Sequence, residues 1–175
     1  MLNNIISLTG MMGSGKTTIG NALALELGYQ FVDLDQYIES STKKTINKIF
    51  QEQGEEYFRK LEASYLAKIV SEKKKLILST GGGIILAAEN RKLLAEQTIS
   101  IYLETSLDIL ASRLIDDLER PLLKDKKKLN QTLSSIYNKR CKFYQEAAYT
   151  INTDAGNENI LVKQIIDKIN EKSKS

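Results

Sequence analysis

A three-layer α/β fold, in which a five-stranded parallel sheet is flanked by helices, follows from two observations on this 175-residue chain. Short apolar runs alternate with longer helical patterns from one end to the other, which is how consecutive βα units read in sequence. Between the first apolar run and the first helical pattern, residues 10–17 read GMMGSGKT, a complete GxxxxGK[ST] phosphate loop. Strand, glycine-rich turn and helix in that order specify the P-loop NTPase architecture.

The first strand is predicted at residues 5–9, where Ile5, Ile6 and Leu8 form a short buried run. From Gly15 onward Ile19, Ala22, Leu23 and Leu27 recur at helical spacing until Gly28, a natural C-cap. In the turn between, glycines let the backbone aim its N–H groups at phosphate oxygens, where the helix N-terminus adds positive potential. Lys16 then reaches toward the β- and γ-phosphates, and Thr17 offers a hydroxyl to Mg²⁺. Further strands are predicted at residues 31–34, 76–79, 99–103 and 149–152. Helices are predicted near 55–70, from the stripe Phe58, Leu61, Tyr65, Leu66 and Ile69, and at 158–170.

In parallel sheets of this kind ligands gather beyond the carboxyl ends of the strands, so the residues after each strand are the candidates for a site. After the second strand stand Asp33 and Asp35, which share one face if the segment is extended. One then holds Mg²⁺ through water while the other orients or deprotonates a hydroxyl; the alternative is a strand-end Asp that caps the next helix. After the third strand come Gly81, Gly82 and Gly83, read either as a close approach to a ligand or as a flexible loop. The fourth strand leads to a helix with Arg113 and then to a polar segment with Arg120, which is either a mobile lid over the phosphoryl group or a surface loop.

Composition narrows the function. With no histidine, the chain has no histidine base, Ser-His-Asp triad or His-ligated metal, leaving carboxylates, lysine, arginine and Mg²⁺ as working groups. A net charge of +3 and lysine runs at 73–75 and 126–128 without interleaved aromatics give no case for nucleic-acid binding. No stretch of eighteen apolar residues and no secretory signal pattern occurs, and one cysteine, Cys141, forms no internal disulfide; no membrane and a cytoplasmic location are expected. Without a heptad repeat, a monomer is expected.

Taken in order, these motifs resemble the shikimate kinase family, in the nucleoside-monophosphate-kinase-like branch of P-loop proteins. The resemblance rests on GMMGSGKTTIG at 10–20, Asp33-Leu34-Asp35, and Ile49-Phe50 followed by GEEYFRKLE at 54–62. It continues through Gly81-Gly82-Gly83, Arg120-Pro121-Leu122-Leu123, and Arg140 with Phe143-Tyr144, covering nearly the whole chain. It implies one kinase domain over 1–175, with an acceptor-binding helical segment at about 35–62 and a lid at about 114–125. The implied reaction moves the γ-phosphoryl of ATP to the 3-hydroxyl of shikimate, giving shikimate 3-phosphate and ADP, within chorismate and aromatic amino-acid biosynthesis.

The resemblance also implies residue roles. Gly13, Ser14, Gly15, Lys16, Thr17, Thr18, Arg113 and Arg120 bind the nucleotide, with Arg113 against adenine. Asp35, Arg59, Gly81, Gly82, Gly83 and Arg140 bind shikimate, the two arginines holding its carboxylate. Lys16, Asp35 and Arg120 carry the chemistry, and Thr17 and Asp33 (through water) serve Mg²⁺. Glu62, three residues after Arg59 on one helical face, holds that arginine in place. Two positions depart from the pattern: Lys142 stands where the family has proline, and residues 152–156 lack a basic residue. From the phosphate loop alone, a kinase of another small acceptor and an ATP-driven switch protein are also open; Arg59, Glu62 and the glycine loop favour a small carboxylated polyol.

Overall fold

In a computed structural model that describes residues 5–72, 74–115 and 126–172, five parallel strands form one sheet in the order β2-β3-β1-β4-β5. The strands are β1 (Ile5–Thr9), β2 (Gln30–Asp33), β3 (Leu76–Ser79), β4 (Ile99–Glu104) and β5 (Tyr149–Asn152). Helices α1 (Lys16–Leu27), α2 (Leu34–Thr42), α3 (Ile46–Ser71), α4 (Ala88–Gln97), α5 (Leu107–Leu114), α6 (Lys126–Tyr144) and α7 (Glu158–Lys172) connect and cover them.

The two-residue period of the strands sorts their side chains into two cores. Ile6, Leu8, Ile77, Ile101 and Leu103 point to one face, where they pack with Ile19 and Leu23 of α1 and Leu161 and Ile165 of α7. Ile5, Leu76, Leu78 and Tyr102 point to the other, against Leu66 of α3, Leu94 of α4, Leu110 of α5 and Leu133 of α6. Burial on both faces explains why β1 and β3 read as continuous apolar runs rather than alternating ones. The polar exceptions are satisfied: the Ser7 and Thr98 hydroxyls lie 2.7 Å apart, and Thr9 donates to Ile101 O.

Two boundaries differ from the expectation. The second strand ends at Asp33 because Leu34 already begins α2, and α3 starts at Ile46 rather than near 55. Gly54 (φ 81°, ψ 171°) breaks α3 into two helical stretches, and the predicted apolar stripe belongs to the second of them. The first is started by Thr45, whose hydroxyl accepts from Lys48 N. The lid expected at about 114–125 falls almost entirely outside the described residues, and Arg120 with it.

Candidate active site

The phosphate loop closes between β1 and α1 on residues whose backbone only glycine adopts readily. Gly13 has φ 79° and Gly15, the N-cap of α1, has φ 91°. Lys16 Nζ bends back over this loop, donating to Gly10 O at 3.0 Å and Met11 O at 2.8 Å. Arg113 reaches the same loop from α5 and donates through Nη1 to Gly13 O at 3.1 Å. The hydroxyls of Thr105 and Thr153 lie 2.6 Å apart and Ser106 N donates to Asp154. Residues after β5 are thereby tied to the start of the helix that carries Arg113.

The carboxylate pair is arranged differently from the extended segment expected for Asp33 and Asp35. Asp33 Oδ1 accepts from the amides of Asp35 (3.1 Å) and Gln36 (3.3 Å), so Asp33 caps α2 and Asp35 lies in its first turn. A cap that satisfies two otherwise unpartnered amides favours helix immediately after it, which is why the strand stops there. The other oxygen, Oδ2, accepts from Thr17 Oγ1 at 2.9 Å, joining the end of β2 to the phosphate loop. Both carboxylates still line one cleft.

In the same cleft, Arg59 of α3 donates through Nη1 to Glu62 Oε2 at 2.8 Å. Glu62 is fully buried, with 1% of its side chain exposed, and the i, i+3 spacing brings the pair together as the sequence predicted. The glycine loop explains how so many charged groups converge. A Cβ on Gly81 would come within 2.7 Å of Glu62 Oε1 and 3.1 Å of Asp35 Oδ1, and one on Gly83 within 2.5 Å of the Arg59 guanidinium. A Cβ on Gly82 would stand 3.5 Å from Arg140 Nη1. None of the three glycines has a positive φ; they are small so that Asp35, Glu62, Arg59 and Arg140 can approach the backbone. Gly81→Ala is therefore expected to lower stability by about 1–3 kcal/mol, the usual cost of overpacking, read as a fall in Tm together with kcat/KM.

Burial pushes the Asp35 carboxyl above its ordinary range and the Asp33 charge adds to this, while Lys16 and Arg59 pull the other way. Burial also raises Glu62, against the pull of Arg59. Asp35 Oδ1 and Glu62 Oε1 are buried without a hydrogen-bond partner among the described residues.

The cleft these walls enclose has a volume of about 1380 Å³. That exceeds the roughly 300–1,000 Å³ typical of a site for one small molecule, and suits a nucleotide beside a small acceptor. Gly13, Ser14, Gly15, Lys16, Thr17, Thr18 and Arg113 line one part of it; Asp35, Arg59, Gly81, Gly82, Gly83 and Arg140 line the other. All the predicted site residues within the described segments thus come together.

Sequence reasoning assigned no role to Tyr144, which ends α6. Its hydroxyl donates to Gly82 O at 2.5 Å and its ring stacks on Tyr102 at 5.1 Å, so it ties the helix of Arg140 to the glycine loop. No local signal could reveal a bond spanning 62 positions. Lys142, in place of the expected proline, keeps its amide and lets α6 run on to Tyr144.

Among known proteins, the family model described as shikimate kinase matches residues 12–170 of the chain. A shikimate kinase of Chlorobium phaeobacteroides is 40% identical over 175 residues, covering 96% of this chain and 92% of that protein. One from Persephonella marina is 40% identical over 164 residues, with 94% and 98% covered. The structure of an Acinetobacter baumannii shikimate kinase in complex with shikimate superposes with a TM-score of 0.90 at 39% identity, covering 98% of this chain and 95% of that one.

Proposed function

The chain belongs to the shikimate kinase family, and from that premise we propose how its cleft transfers the γ-phosphoryl of ATP to the 3-hydroxyl of shikimate, yielding shikimate 3-phosphate and ADP. One observation carries the assignment of walls: the buried Arg59–Glu62 pair meets Asp35 across Gly81, facing the phosphate loop over a cleft wide enough for two substrates.

Gly13, Ser14, Gly15 and Thr18 hold the phosphates from the loop and the start of α1, and Arg113, already against Gly13, lies beside the base. Lys16 exchanges its bonds to Gly10 and Met11 for phosphate oxygens, carrying positive charge to where the transition state spreads negative charge. Arg120 adds a second cation from the lid at 114–125, which excludes water that would otherwise hydrolyse ATP. Arg59 and Arg140 bind the shikimate carboxylate, Arg59 fixed by Glu62 and Arg140 by the helix that Tyr144 anchors. Gly81, Gly82 and Gly83 leave the acceptor room to lie against Asp35. The Asp35 carboxylate, made more basic by burial, accepts the hydrogen bond of the 3-hydroxyl, aims its lone pair at phosphorus and takes the proton as the new O–P bond forms.

Mg²⁺ fits the residues present, since Thr17 Oγ1 and Asp33 Oδ2 offer hard oxygen donors 2.9 Å apart beside the phosphate loop. Such a cation would be held largely by the nucleotide's phosphates, with Thr17 as direct ligand and Asp33 through water. When bound, it would neutralise charge on the transferring phosphoryl group. No described helix is long and apolar enough to cross a membrane. We further infer one domain over 1–175, with its acceptor segment at 35–62, working as a cytoplasmic monomer that engages no nucleic acid.

A coupled ADP-release assay tests the function directly. Turnover is expected to require shikimate; phosphorylation of gluconate or a nucleoside monophosphate in its place would overturn it, as would ATP turnover indifferent to shikimate.

A further inference from the structure

Arg59 has a second carboxylate partner, and its geometry differs from the first. Glu55, one helical turn earlier on α3, accepts from Arg59 Nε at 3.4 Å and from Nη2 at 3.3 Å. Glu62 holds Nη1 at 2.8 Å from a buried position, whereas the Glu55 side chain is 64% exposed and its contacts are long. The backbone of Gly83 lies over the guanidinium, where a Cβ would come within 2.5 Å of Nη1 and Nη2 and 2.6 Å of Cζ. With Nη1 held by Glu62, the edge that offers two parallel donors apart from it is Nε/Nη2, and this is the edge Glu55 now occupies.

We propose that Glu55 is an internal stand-in for the acceptor's carboxylate, occupying the Nε/Nη2 edge of Arg59 until shikimate displaces it and thereby setting acceptor affinity. The proposal rests on the reading of Arg59 as the carboxylate clamp. A guanidinium that holds Glu55 and Glu62 together carries one positive charge against two negative ones, so a third carboxylate gains little unless one leaves. Glu55 is the one able to leave, because it moves into water while Glu62 would stay buried beside Asp35. Until then it keeps Arg59 extended toward the cleft rather than free to sample other rotamers. Glu55 acts through Arg59 and is a positioning residue with an opposing effect: it prepares the clamp and competes for it.

The test compares Glu55→Gln with Arg59→Ala. An exposed i, i+4 ion pair is worth about a twofold change in an equilibrium constant, and relief of like-charge crowding adds to it, so Glu55→Gln is expected to lower the KM for shikimate about two- to fourfold. The effect is expected in KM rather than kcat and to shrink as salt is raised. The carboxamide analogue of shikimate, tested as an inhibitor, is expected to bind Glu55→Gln and the parent enzyme alike. Arg59→Ala separates the two layers. A raised KM in Arg59→Ala with an unchanged or raised KM in Glu55→Gln keeps the clamp and overturns the displacement. An unchanged KM in Arg59→Ala overturns both. A fall in Tm of Glu55→Gln without a fall in KM assigns Glu55 a role in starting the second stretch of α3 and overturns the proposal, as does equal tightening for acid and amide.

Discussion

Asp35→Asn is expected to lower kcat about 10³-fold, within the range that a positioned base contributes, while the KM for shikimate changes by less than about threefold. Asparagine keeps the shape that fits beside Gly81, so the cleft wall stays in place and the acceptor still reaches Arg59 and Arg140. What disappears is the group that accepts the hydroxyl proton. Stability should move the other way. Burial and Asp33 raise the folded-state pKa of Asp35, so its ionisation is harder in the folded protein than in the unfolded chain. That penalty is absent below the ordinary carboxylate range, where both states are protonated, and complete above the raised folded value. The amide removes it, and Tm at neutral pH is expected to hold or rise. Thermal melts beside steady-state rates check both parts; a kcat within tenfold of the parent would assign the proton to water instead.

Much of this site was legible because its geometry is local. The phosphate loop needs glycines at fixed positions, and Gly13 and Gly15 take the positive φ values that the motif foretold. Glu62 could be paired with Arg59 because three positions on a helix is a contact distance, and the same rule at four positions would have found Glu55. Asp33 and Asp35 were placed in the right cleft, and of the two backbones open to them the structure takes the helix cap rather than the extended segment, since the end of a strand and the start of a helix compete within two residues and the capping bonds decide. For the glycine loop, close approach and a flexible loop were both open from the sequence; the structure shows close approach, with the protein's own charged side chains packed against it. That ring is assembled from α2, α3 and α6, and contacts such as Tyr144 with Gly82 exist only once the sheet has brought those elements to one end. Strand order was likewise invisible, because each βα unit reads the same wherever it sits.

Arg59→Ala is expected to raise the KM for shikimate about 10- to 150-fold, the loss of a charge-assisted bond to a carboxylate of roughly 1.5–3 kcal/mol. It should also destabilise the protein, by a separate route. Glu62 is buried and Arg59 is its close partner, so removing the arginine leaves a carboxylate facing Asp35 with only the more distant help of Arg140. Breaking a buried pair costs about 3–5 kcal/mol, and with a quarter of the Arg59 side chain exposed about 2–3 kcal/mol is the better expectation. Without Arg59 the folded-state pKa of Glu62 rises further, since burial is then opposed less. The loss of stability should therefore be small at acid pH, where Glu62 is protonated in both states, and grow as pH climbs from the ordinary glutamate range through the raised folded value. The double variant Arg59→Ala/Glu62→Gln separates the two effects. Neutralising Glu62 is expected to restore most of the lost Tm, because the uncompensated charge is gone, and to restore none of the shikimate affinity, because the clamp is still absent. A double variant that recovered both would mean that Arg59 merely neutralises Glu62 and that Arg140 alone holds the acceptor.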